Sequence, residues 1–138
     1  MPTLRWKYRL DAEFGYRDVT PEIRDFVEKS GVKDGIVVVA VVGSTAAITT
    51  IEFEEGALKD LRRALDIIAP AGEDYAHNAR WHDGNGFSHV RSALIKTSIS
   101  IPILDGKLTL GTWQQIVVLN LDNRARDREV IAVVTDAR

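Results

Sequence analysis

Residues Ile36-Val-Val-Val-Ala-Val-Val42 form an unbroken apolar run, all but one of them β-branched, and this run constrains the fold more than any other stretch. Branching at Cβ restricts χ1 in a helix and suits the pleated surface of a sheet. A strand with no polar position offers no face to water, so the run predicts a central strand covered on both sides. It is far shorter than the roughly 20 residues that span a bilayer, and no tight apolar run exceeds it. A soluble, sheet-based protein is expected.

The flanking pattern fills in that sheet. Leu4, Trp6, Tyr8 and Leu10 alternate with Arg5, Lys7 and Arg9, the period of a half-buried strand with a basic outer face. A short extended piece follows near Phe14 to Val19. Thr20-Pro21-Glu22 predicts a helix start, with threonine as cap and proline in the first turn. Ile23, Phe26 and Val27 share its apolar face, and Gly31 supplies the stop. A strand is expected from Ala46 to Phe53. From Gly56 to Ala69, Leu58, Leu61, Leu65 and Ile68 step by three and four, an amphipathic helix ended by Pro70. A short helix fits Phe87 to Leu94, and Ile99, Ile101 and Ile103 alternate along a strand. Asp105-Gly106 predicts a hairpin into one long run, Lys107 to Leu121. A polar turn, Asp122 to Arg128, then leads to a last strand, Glu129 to Val134. The expectation is one α+β domain over residues 1–138, mostly antiparallel sheet, with about seven strands and two or three helices.

Composition removes several function classes. With 18 basic and 20 acidic residues the net charge is −2, so no overall field draws in a nucleic acid, although a local basic patch can still hold a small phosphate. The absence of cysteine excludes disulfides, thiolate metal sites and a cysteine nucleophile. The charged N-terminal stretch has no signal-like apolar core, and a cytoplasmic protein with no membrane partner is expected. Neither a hydrolase elbow nor a dinucleotide fingerprint occurs.

Chemistry-bearing residues concentrate between Tyr75 and His89. All three histidines, His77, His82 and His89, lie there beside Asp74, Asp83, Asn78 and Asn85. Imidazole is a common metal ligand and titrates near physiological pH. If the Gly84–Gly86 stretch folds back, His77, His89 and Asp83 can converge on a metal or a reacting group, although their spacing matches no strong zinc pattern. Solvated loop histidines are the plainer reading. Asp83-Gly84-Asn85-Gly86 lacks the further oxygen ligands of a calcium loop and is better explained as an Asx turn.

Outside that segment, Gly43-Ser44-Thr45 can present hydroxyls and N–H groups to a ligand, or be a plain turn. Thr112 and Gln114 interrupt an apolar strand and need partners, in a pocket or across a subunit boundary. Arg91 can hold a phosphate oxygen near a helix start. Arg124, Arg126 and Arg128 can do likewise, although alternating charge in a hairpin turn is more often a solvated surface.

Three motifs in order carry a specific resemblance: Asp83-Gly-Asn-Gly-Phe-Ser-His89, Ser98-Ile-Ser-Ile-Pro102 and Gly111-Thr-Trp-Gln114, followed by Asp122-Asn-Arg124. From about Tyr16 onward the chain resembles the YjbQ-type family, whose members are described as secondary thiamine-phosphate synthases and are largely uncharacterised. The resemblance implies an α+β fold, a homotrimer and a polar histidine pocket, with a divalent metal (zinc or magnesium) in some members. It implies catalytic roles for His77, Asp83 and His89, with His77 and His89 as metal ligands. Beside it stands the expectation of substrate contacts from Ser44, Thr45, Asn85, Arg91 and Gln114 to a small phosphorylated metabolite. One position departs: Ser44 stands where family members usually carry a histidine, which removes a strong metal donor. His82 has no assigned counterpart. The implied reaction joins a pyrimidine methyl diphosphate to a thiazole phosphate. The alternative is a non-catalytic trimer that binds a metal or phosphorylated metabolite.

Overall fold

A computed structural model describes residues 2–137. Within them the chain forms β1 (Thr3–Leu10), β2 (Gly15–Asp18), α1 (Thr20–Ser30), β3 (Gly35–Val41), β4 (Ala46–Ile51) and α2 (Glu55–Ile68). There follow α3 (Ala76–Trp81), α4 (Gly86–Ile95), β5 (Ser98–Leu104), β6 (Lys107–Leu108), β7 (Gln115–Asn120) and β8 (Arg126–Asp136). The strands make a five-stranded sheet, β1-β8-β3-β5-β6, and a three-stranded sheet, β2-β7-β4. Every pairing is antiparallel. The α+β expectation holds.

The layering explains which strand is covered on both faces, and it is not β3. The inner face of the large sheet (Val37, Val39, Val130, Ala132, Val134) packs against Ala46, Ile48, Ile116 and Val118 of the small sheet and against Ile23 and Val27 of α1. On the far side of the small sheet, Ala47, Val117, Leu119 and Leu121 pack with Leu58 and Leu65 of α2 and with Phe14. β7 therefore contributes alternate residues to two cores, and five of its six positions are buried. β3 does sit mid-sheet, but its outer face is open: Ile36 is 47% and Val38 42% exposed. A β-branched run states a preference for sheet; only the neighbouring layers decide how many faces are dry.

Other differences are local. Thr20 does not cap α1. Its hydroxyl accepts from the Ile116 amide at 2.7 Å, while Asp18 Oδ1 accepts from the Thr20 amide at 2.9 Å. The helix ends as expected on left-handed Gly31. Asp105 (φ 52°) and Gly106 (φ 76°) make the β5–β6 hairpin. The long run beyond it splits, however. β6 stops at Leu108, and the chain crosses to the other sheet through Thr109–Gln114 before β7 begins. Trp113, on that crossing, is 73% exposed. There are four helices among the described residues, because the histidine segment contains α3, which buries none of its residues.

Candidate functional site

A polar cleft forms where three connections meet: the turn Gly43-Ser44-Thr45 between β3 and β4, the passage from α3 into α4, and the turn from β7 to β8. Its cavity, about 430 Å³, is lined by Gly43, Ser44, Thr45, Asp83, Asn85 and His89, with Asp122, Arg126, Asp127 and Arg128 completing the wall. A second opening of about 470 Å³ adjoins it through Gly43, Ser44 and His89 and reaches Lys96.

Asp122 is the knot that ties these connections together. Its Oδ2 accepts from Thr45 Oγ1 (2.9 Å), Asn85 Nδ2 (3.2 Å) and Arg126 Nε (3.2 Å), and its Oδ1 accepts from the Arg124 amide (2.9 Å). Burial alone raises a carboxyl pKa. Here the Thr45, Arg124 and Asn85 hydrogen bonds and the Arg126 charge outweigh burial, and the Asp122 carboxyl lies below its ordinary value. Asn85, buried beside it, accepts on Oδ1 from Ser88 Oγ (2.5 Å) and the Asn123 amide (3.1 Å). The start of α4 is thereby fixed to the β7–β8 turn.

Arg128 lies beneath the Gly43 turn and is only 6% exposed. Its Nε and Nη2 donate to Asn120 Oδ1 at 3.1 and 2.7 Å, and Nη2 also donates to Thr45 Oγ1 at 2.6 Å. Burial pushes its pKa down from the ordinary arginine value, opposed by the charge of Asp122.

The imidazoles stand at the helical side of the cleft. His77 of α3 and His89 of α4 have ring centroids 4.3 Å apart, tilted by 40°. His77 Nδ1 is shut off from solvent and lies 3.4 Å from Asp83 Oδ1, beyond a strong hydrogen bond. The two helices approach closely because residue 86 is glycine: a Cβ there would come within 2.8 Å of Tyr75 Cγ and 3.0 Å of Asn78 Oδ1. Asn78 Oδ1 instead accepts from the Gly86 amide at 2.9 Å. His82 caps α3 in a left-handed conformation (φ 54°) and does not line the cleft.

The sequence-predicted residues thus divide. His77, Asp83 and His89 come together, and Ser44, Thr45 and Asn85 join His89 and Asp83 around one cavity. Arg91 and Gln114 do not line it. Arg91, 2% exposed, donates through Nε to Ala69 O (2.9 Å) and through Nη2 to Asp66 Oδ1 (2.9 Å), which anchors α4 to α2. Gln114 donates to Thr50 Oγ1 (3.1 Å) and accepts from the Gly111 amide (3.0 Å), bracing the crossing between sheets. Among the described residues no three His, Cys, Asp or Glu side chains are grouped to hold a metal ion. The donors present, two neighbouring tilted rings and one carboxylate, do not by themselves make a closed metal site. Asp122 was missed as a cleft residue, and Arg126 and Arg128, for which a phosphate contact was the lesser reading, line the cleft as well. The signal was parity: Arg128 shares the inward face of β8 with Val130, Ala132 and Val134.

Fold and cleft define a small α+β sandwich protein with a polar, histidine-bearing cleft built from its turns. The family described as UPF0047 protein YjbQ-like matches residues 6–137. The chain belongs to that family. It is 35% identical to a UPF0047 protein of Archaeoglobus fulgidus over 114 residues, covering 83% of this chain and 86% of the relative. A Synechocystis UPF0047 protein is 37% identical over 116 residues, covering 83% and 78%. Among solved structures, a hypothetical protein from Aeropyrum pernix superposes with a TM-score of 0.89 at 28% identity, covering 99% of both chains. An uncharacterized YjbQ/UPF0047 protein from Clostridium acetobutylicum gives 0.86 at 32% identity, covering 96% of this chain and 99% of that one. No helix among the described residues is long and apolar enough to cross a membrane.

Proposed function

We propose that the cleft binds a small phosphorylated metabolite and carries out a thiamine-phosphate-synthase-like transfer. The reading is supported above all by the two imidazoles of His77 and His89, side by side with Asp83 next to a cavity floored by arginine. In this reaction the bond from the pyrimidine methylene carbon to the diphosphate oxygen breaks, and the departing pyrophosphate keeps the electron pair. The thiazole nitrogen then supplies its lone pair to form the new C–N bond. Charge builds on the leaving oxygens, so donors placed in advance around them lower the barrier. The His89 ring faces the cavity and is the donor to the leaving group. Asp83 orients His77, Ser44 and Asn85 hydrogen-bond substrate, and Thr45 carries the Asp122 network to the cavity wall.

A divalent metal belongs to the proposal only with ligand-supplied oxygens, because Ser44 contributes a hydroxyl where an imidazole would be the stronger donor. Elemental analysis with and without a phosphorylated ligand tests this. The open outer face of the large sheet, with Ile36 and Val38, supports assembly of the protein as a homotrimer. We further propose a cytoplasmic setting, testable by cell fractionation.

Single-turnover assays of wild type, His77→Ala and His89→Ala test the transfer. Loss of turnover in trimers that stay intact supports it. Absence of turnover in every form leaves the alternative, a non-catalytic trimer that binds a metal or phosphorylated metabolite, which the replacement at Ser44 favours.

A further inference from the structure

One buried cation of the cleft, Arg128, has no direct ion pair; Asp122 acts on it only at a distance and through Thr45. Among the described residues no carboxylate lies within ion-pair distance of Arg128, and its hydrogen-bond partners, Asn120 and Thr45, are neutral. The acids around it are engaged elsewhere. Asp122 Oδ2 takes Thr45, Asn85 and Arg126. Asp127 pairs with Arg9 at 3.5 Å, and Asp83 takes the Asn85 amide and lies against His77. A guanidinium this buried normally has a charged partner, since neutral acceptors do not repay its desolvation.

The rest of the geometry shows where such a partner fits. Arg128 lines the cavity, and its Nη1, which none of these bonds uses, faces Gly43. A Cβ at residue 43 would come within 2.5 Å of that nitrogen, and the Gly43 φ of 141° suits glycine alone. Absence of a side chain there lets the guanidinium pack against the turn at the cavity wall. Exposed Ser44 adds a hydroxyl at the same wall, and Arg126 stands at the rim.

We propose that Arg128, Gly43 and Ser44 form a phosphoryl-group subsite, in which Arg128 receives an anionic phosphate or diphosphate oxygen from the cavity side. A simple structural clamp would explain the bonds to Asn120 and Thr45, but not the placing of a guanidinium with an unused Nη1 in a cavity wall. The proposal deepens the transferase reading, on which its placement of the leaving group rests, yet anion binding can be measured without turnover.

The test is calorimetric titration of the full chain with inorganic pyrophosphate and, separately, inorganic phosphate, with Tm followed in parallel. Wild type should bind at least one of them saturably and gain Tm. Ser44→Asp places a carboxylate in the subsite and should weaken binding about tenfold or more at unchanged or higher Tm, the scale of one charged hydrogen bond. Arg128→Gln should do the same. Should it fail to fold, Ser44→Asp alone decides. No saturable binding at millimolar anion, or unweakened binding in Ser44→Asp, overturns the subsite. So does loss in Arg126→Gln with none in folded Arg128→Gln, which moves the anion to the exposed rim. Anion binding without turnover in any form rejects the transferase and keeps the subsite; turnover without anion binding does the reverse.

Discussion

Gly86→Ala is the substitution from which the arrangement of the site can best be judged. Residue 86 opens α4 and lies against Tyr75 and Asn78, the residues that launch α3. A methyl there would meet Tyr75 Cγ at 2.8 Å and Tyr75 Cβ closer still, whereas ordinary contact begins at 3.4 Å. The helices must separate by roughly 1 Å, and overpacking of this size costs about 1–3 kcal/mol. Which side yields follows from burial. The first turn of α4 is held by Phe87, Ser88 and the Asn85–Asp122 network, whereas α3 is six residues long and buries none of them. α3 moves, taking His77 away from His89 and breaking the Asn78–Gly86 hydrogen bond. Hydrogen–deuterium exchange should speed up in residues 75–82 and stay unchanged in β7, with a fall in global stability near the lower end of that range. His77 and His89 ring signals in NMR should shift together. Unchanged exchange and ring shifts in a folded Gly86→Ala protein would refute the close-approach argument.

Four further substitutions test other parts of the structure. Asp122 has a carboxyl pKa lowered in the folded state, so its stabilising contribution is complete above the unfolded value of about 3.8 and is lost as pH falls through the folded value. Asp122→Asn should therefore cost stability at pH 7, about 3 kcal/mol, and flatten the acid limb of a urea-midpoint profile below pH 4. Arg91→Met should destabilise by about 2–3 kcal/mol, because Ala69 O and Asp66 lose their donor, while anion affinity of the folded protein stays at the wild-type value. Leu119→Ala should cost roughly 2–5 kcal/mol by chemical denaturation, and Val38→Ala, on the open face, below about 1 kcal/mol in the monomer. Equal losses would contradict the layering.

Residues whose periodicity matched their own element were legible in the sequence. α2 followed its leucines, α1 ended on its glycine, and the β5–β6 turn formed at Asp105-Gly106. Errors arose where a distant layer decided. The Ile36–Val41 strand and β7 are comparably apolar, yet only β7 has α2 behind it. α3 has no apolar stripe, so only its capping turns mark it. In the site, the histidine segment carried its own signal, and Ser44, Thr45 and Asn85 followed. Arg91 and Arg128 exchanged their expected places: the one read as a phosphate ligand anchors a helix, and the one read as solvated surface floors the cleft. Backward extension of the β8 alternation by one residue pair was enough to place Arg128 inward.

The double-sided burial of β7 has a consequence for how the protein comes apart. A strand shared by two hydrophobic compartments cannot leave one of them without abandoning the other, so the helix-backed layer and the sheet-on-sheet layer should melt in a single cooperative step. The cleft hangs from the same strand through Asn120, at its last position, and the turn that follows. Binding competence should vanish in that one transition and not fade ahead of it.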